Sequence, residues 1–179
     1  MSTADEIVEV IHEAKTIFTV LTFTPLLVND QGFGEWLLSR GFDPGSTTNL
    51  RRKEGSQYAG IDLYRAFEEM VAAPQRNLAV LRATLLVGLV TVGDAMKTAS
   101  MYDGSPGLEF LRHVRNAAAH GNRFNLMRGE PKRPAHFRDF EITGEDLNGK
   151  TLLFDFMLPG DVFDLFDYLM DHVGRDASG

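Results

Sequence analysis

Arg115, Asn116 and His120 are the residues whose types and spacing could do chemistry in this sequence. They lie in the run Leu111-Arg112-His113-Val114-Arg115-Asn116-Ala117-Ala118-Ala119-His120-Gly121-Asn122-Arg123, which gathers the groups that RNA cleavage requires. An imidazole takes a proton from one oxygen and gives it to another near neutral pH. A guanidinium holds a phosphate by paired hydrogen bonds and stabilises the charge that builds on it. On a helix, Asn116 and His120 stand four residues apart and about 40° apart around the axis. Arg112 continues their row one turn earlier. Arg115 lies about 140° from His120 and roughly 7.5 Å along the axis, so its side chain must swing to share a phosphate with the imidazole. A second copy of the helix, related by a two-fold axis, would close such a site more easily. Ala117-Ala118-Ala119 suits that arrangement, because three small side chains admit another helix, and it suits a tight contact within one chain equally well. His120 also has a plainer reading, as a cap on the last helical turn.

Other chemistries find less support. The sequence has no cysteine, which removes disulfides, thiolate metal ligands and a cysteine nucleophile. None of His12, His113, His120, His136 and His172 pairs at the i, i+4 spacing of a zinc-binding helix, so neither a metal nor a cofactor is expected. No Gly-Lys-Ser/Thr follows Gly88 or Gly93, and these glycines are expected to permit close helix packing. A Gly-x-Ser-x-Gly elbow is absent as well.

The net charge of -7 argues against a nucleic-acid partner, but its distribution argues for one. Seven basic residues (Arg112, Arg115, Arg123, Arg128, Lys132, Arg133, Arg138) meet only Glu130 between positions 112 and 138. From Asp139 onward, ten acidic residues face only Lys150 and Arg175. The middle of the chain would attract phosphate if its charges form one surface. Arg51-Arg52-Lys53 reads as a solvated turn that could extend such a face.

The elements that must position these residues are mostly helical. Thr3-Ala4-Asp5-Glu6 has capping-box spacing, and Ile7, Val10, Ile11, Ala14, Phe18 and Leu21 predict a helix to about Leu21. Pro25, Gly32, Gly34, Gly41, Pro44 and Gly45 break up residues 22 to 58, apart from a short helix around Gly34–Ser39. Ile61, Tyr64, Phe67 and Val71 predict a second long helix that ends or kinks near Pro74. Leu78, Leu81, Leu85, Leu89, Val92 and Met96 predict a third, apolar on most sides and central. Its longest uncharged run, Ala83 to Gly93, is about half of what crosses a membrane, so a buried core helix in a cytoplasmic protein is expected.

Ser105-Pro106 begins a fourth helix, with Leu108, Leu111, Val114 and Ala118 inward and Gly121 as its left-handed stop. Phe137–Ile142 and Thr151–Phe156 read as two strands of a hairpin insertion at about 136–157. A last helix follows from Gly160-Asp161, facing inward through Val162, Leu165, Phe166, Leu169 and Val173. The expected fold is mostly α, a single domain over 1–179. It is an up-and-down bundle of four to five long helices with a small β-hairpin before the last.

Arg115-Asn116-x-x-x-His120 at a helix end resembles the Arg-x(4–6)-His signature of the HEPN superfamily (higher eukaryotes and prokaryotes nucleotide-binding domains). Asn directly after the Arg is a common form of that motif. The resemblance implies a metal-independent endoribonuclease that acts as a homodimer, of the kind found in toxin–antitoxin or phage-defence systems. It implies RNA as substrate and, as a further partner, a cognate antitoxin protein. His120 would then act as general base or acid and Arg115 would stabilise the transition state. Asn116 would hold the pair in register, while Arg112 and Arg123 bind substrate phosphate. The product would be a 2′,3′-cyclic phosphate. Asn122 departs from the branch in which a tyrosine two residues past the histidine accepts a nucleotide. The alternative, from a different class, is a non-catalytic HEPN-like dimer that binds nucleotide, RNA or a regulatory protein.

Overall fold

The computed structural model describes residues 3–28, 31–41, 47–48, 52–56, 61–62, 65, 69, 72–127 and 129–176. The protein is mostly helical, with α1 (Thr3–Val28), α2 (Gln31–Ser39), α3 (Pro74–Thr98), α4 (Pro106–Ala119) and α5 (Pro159–Asp176). Two short antiparallel pairs accompany them, β1 (Thr47–Thr48) with β2 (Ile61–Asp62) and β3 (His136–Phe137) with β4 (Phe140–Glu141). The chain divides into two compact units, one made of residues 1–18 and 82–179, the other of 19–81.

In the first unit each helix buries the stripe that its periodicity marks. Ile7, Ile11 and Phe18 of α1 are buried, as are Leu85, Leu89, Val92 and Met96 of α3. Leu108, Leu111, Val114 and Ala118 of α4 and Val162, Leu165, Phe166, Leu169 and Val173 of α5 are buried too. Each large apolar side chain taken out of water stabilises the fold by about 1.5–3 kcal/mol. Phe110 packs against Phe137, Phe140 and Phe156 at ring-centroid distances of 5.9 to 6.4 Å, which fixes the hairpin on α4. Ser105 is the N-cap of α4 and Pro106 its first residue, but the Ser105 hydroxyl makes no capping bond. Its N–H instead donates to Asp103 Oδ1 at 2.7 Å. At α5, Asp161 Oδ2 reaches back to accept the Leu158 N–H at 2.8 Å and satisfies an orphan donor.

Four expectations are corrected. First, α1 runs through Pro25 to Val28 instead of ending at Leu21, since a proline removes only one i→i−4 bond from a long helix. Second, α3 is buried on one face only. Val87 is 65% and Leu78 54% exposed, because the buried positions recur only at the spacing of a single stripe. By length and composition alone Leu78–Thr98 could cross a membrane, at a mean hydropathy of 1.7.

Third, the predicted helix at Ile61 begins as a strand, where Ile61 pairs with Thr48 and Asp62 with Thr47. Side-chain branching at Cβ favours extended backbone at Thr47, Thr48 and Ile61. Arg65 and Glu69 beyond it are helical and ion-paired at 3.1 Å, while Tyr64, Phe67 and Val71 lie outside the described residues. Fourth, the hairpin closes within 136–141, where Arg138 takes φ +51° at a two-residue turn. Residues 151–157 form turns with isolated bridges, since Leu152 and Leu153 are both buried and do not alternate. Arg52 and Lys53 form the exposed turn that was expected, and Arg51 lies outside the described residues.

Candidate functional site: the end of helix α4

The motif sits where α4 stops. His120 donates its N–H to the Asn116 carbonyl at 3.0 Å, and the Arg123 N–H returns to the Ala117 carbonyl at 3.1 Å. Gly121 takes φ +73° with nothing near its absent side chain, so backbone conformation and not space reserves the position for glycine. Asn122 follows at φ +67° and is buried. Its Oδ1 accepts the Leu153 N–H at 2.7 Å and its Nδ2 donates to the Leu153 carbonyl at 3.3 Å. The residue that marked the absence of a tyrosine thus ties the helix end to the following segment.

Arg115 points back toward α3. Its Nε and Nη2 donate to Asp94 Oδ1 at 2.9 and 2.6 Å, and its Nη1 donates to Asn116 Oδ1 at 3.3 Å. Gly93 makes room for this, since a Cβ there would lie 2.5 Å from Arg115 Cγ and 2.9 Å from its Cβ. Gly93 therefore permits the close packing expected of it. At Gly88 a Cβ would meet Ala14 at an ordinary 3.5 Å.

A cavity of about 360 Å³ opens here, lined by Gly93, Lys97, Tyr102, Arg112, Arg115 and Asn116. Lys97 is exposed and makes no ion pair among the described residues. Tyr102 donates its hydroxyl to the Gly93 carbonyl at 3.3 Å. Burial pushes its phenol up to about 12 against the pull of Arg115, so it serves as a neutral donor.

Arg112 lines the cavity but is held elsewhere. Its Nε donates to Glu109 at 2.8 Å, its Nη1 lies 3.5 Å from Glu130, and its Nη2 is 2.8 Å from His113 Nε2. Burial, reinforced by Arg112, holds His113 below its ordinary 6.5, which leaves the ring neutral to accept that bond. The Met127 N–H, first among several contacts, keeps Glu130 below the usual carboxylate range.

The structure thus brings Arg112, Arg115 and Asn116 to one cavity and leaves two expected residues outside its lining. His120 is exposed at the helix end, and Arg123 is exposed with its Nη1 on the Gly149 carbonyl at 2.8 Å. Ala117 and Ala118 are buried within the chain, and Ala119 alone of the three is exposed. Four of the seven clustered basic residues are held in ion pairs. Arg112, Arg115, Arg133 and Arg138 each face a carboxylate, drawn from Asp94, Glu109, Glu130 or Asp164, and Arg128 lies outside the described residues. The charge balance along the sequence missed this, because Asp94, Glu109 and Asp164 lie outside the stretch from 112 to 138.

Lys97, Tyr102 and Asp94 were also missed. A lone carboxylate in an apolar helix was the available signal, since such a group needs a cationic partner. Among the described residues no cluster of three or more His, Asp or Glu side chains is arranged to hold a metal ion. No family model, curated protein or solved structure matches this chain.

Proposed function

We propose that the end of α4 is the cleavage site of a metal-independent endoribonuclease of HEPN type, acting on cytoplasmic RNA as a homodimer. One observation carries the reading: Arg115 and Asn116 share a cavity with Lys97, a cation without an ion pair among the described residues, and His120 stands exposed one turn beyond Asn116. An RNA phosphate would enter beside Lys97 and Arg115. The ribose 2′-oxygen attacks phosphorus as His120 takes its proton, and the bond to the 5′-oxygen breaks as a water molecule gives that oxygen a proton. Arg115 stabilises the added charge, and the products are a 2′,3′-cyclic phosphate and a 5′-hydroxyl. His120 lies outside the cavity lining, so this reading needs the imidazole of a second copy or a swing of the exposed side chain. A cognate antitoxin would act by covering the same helix end.

The test is cleavage of RNA by purified protein in excess EDTA, with His120→Ala prepared identically. Histidine acid–base catalysis contributes about 10²–10⁴-fold, and His120→Ala should lose that much. Equal cleavage by both proteins overturns the reading.

A second reading is favoured by the two bonds that Asp94 makes to Arg115. In it the cavity binds the phosphate of a nucleotide or RNA without cleaving it. Retention of an RNA oligonucleotide that stays intact in the presence of wild-type protein is its signature.

A further inference from the structure

Arg115 faces a carboxylate where the proposed reaction needs it to face a phosphate. Nε and Nη2 form the side-on edge with which a guanidinium grips two oxygens of an oxyanion, and Asp94 Oδ1 takes both of those donors. The pair is accessible, with 28% of the Arg115 side chain and 47% of Asp94 exposed. Ion pairs in such surroundings are weak and exchange readily. Asn116 holds the remaining nitrogen, Nη1, so the guanidinium keeps its orientation if the Asp94 edge is released. Lys97 lines the same cavity one turn after Gly93 and makes no ion pair among the described residues.

We propose that Asp94 occupies the phosphate position on Arg115 as an internal surrogate, and that a phosphodiester drawn in by Lys97 displaces it. The inference rests on the reading above only in taking an RNA phosphate as the ligand. Asp94 is then a built-in competitor of substrate. If it were instead a positioning residue for Arg115, its removal would loosen the guanidinium and weaken binding. The two roles predict opposite signs.

The experiment measures binding of a fluorescein-labelled single-stranded RNA oligonucleotide in EDTA. All proteins carry His120→Ala, so binding is read whether or not the site cleaves. Adding Asp94→Asn or Asp94→Ala should tighten binding about fivefold, the scale set by an accessible ion pair. Adding Lys97→Ala should weaken it and reduce the slope of log affinity against log salt by about 0.7. Equal or weaker binding by both Asp94 variants, with unchanged melting temperature, overturns the surrogate role alone. Absence of RNA binding by every protein overturns both the surrogate role and the ribonuclease reading.

A second measurement covers the case in which the Asp94 variants fail to fold. Inorganic phosphate titrated into the ¹⁵N-labelled wild type should shift the Arg115 Nε–H resonance as Asp94 is displaced. A resonance unmoved at saturating phosphate overturns the proposal.

Discussion

The titrating residues around the cavity set where the protein loses stability. His113 is buried neutral below its ordinary 6.5, so an unfolded chain takes up a proton there that the folded one resists. Its contribution is complete above pH 6.5 and falls as pH drops below that value. Glu130, held below 4.5 chiefly by the Met127 N–H, contributes above 4.5 and is lost as pH falls through its lowered value. Tyr102 acts at the other end: an unfolded chain ionises above pH 10, while burial keeps the folded phenol neutral up to about 12. Thermal unfolding followed by circular dichroism from pH 4 to 11.5 should therefore show a plateau with losses below about 6.5 and above about 10. His113→Gln should flatten the fall between pH 6.5 and 5. The candidate site was legible at this scale only where its geometry is local. Arg115, Asn116 and His120 follow from positions along one helix, whereas the pairing of Arg115 with Asp94 joins residues 21 apart and leaves no periodic trace.

Among the elements, α3 and α4 meet where Gly93 leaves room for Arg115. Gly93→Ala forces a methyl group against the first carbons of that side chain and should cost about 1–3 kcal/mol, as overpacking does. Gly88→Ala, on the same helix, meets only an ordinary contact at 3.5 Å and should stabilise by up to about 1 kcal/mol through helix propensity. Urea unfolding of the two variants checks the opposite signs. At the other end of α4, Asn122→Ala leaves the buried Leu153 N–H and carbonyl without their partners and should cost about 2–3 kcal/mol. The helices of the first unit were legible because each carries a 3.6-residue stripe and a punctuating residue such as Pro106 or Gly121. The hairpin before the last helix was legible too, but the bounds of its strands were not. A two-residue strand has no period to read, and Arg138 and Phe154 adopt left-handed backbone that sequence does not announce in such residues.

For the whole molecule, the ion pairing of basic side chains governs how RNA would be held. With Arg112, Arg133 and Arg138 turned to carboxylates, Lys97 and Arg115 are left to neutralise phosphate at the cavity. Log affinity should then fall against log salt with a slope of about −1.4, and not the roughly −5 that seven free cations would give. Fluorescence anisotropy from 25 to about 250 mM salt reads that slope directly. The division of the chain has a different consequence, which concerns its synthesis. The first unit joins residues 1–18 to residues from 82 onward, and the Phe18 ring packs edge-on against Phe163 of α5 at 5.3 Å. On the ribosome, α1 emerges well before its aromatic partner on α5. At ~5–20 residues per second the apolar stripe of Ile7, Ile11 and Phe18 waits on the order of ten seconds for cover. A nascent chain stalled before α5 therefore presents that stripe to chaperones or to other nascent chains, whereas one released past it can bury the stripe in itself.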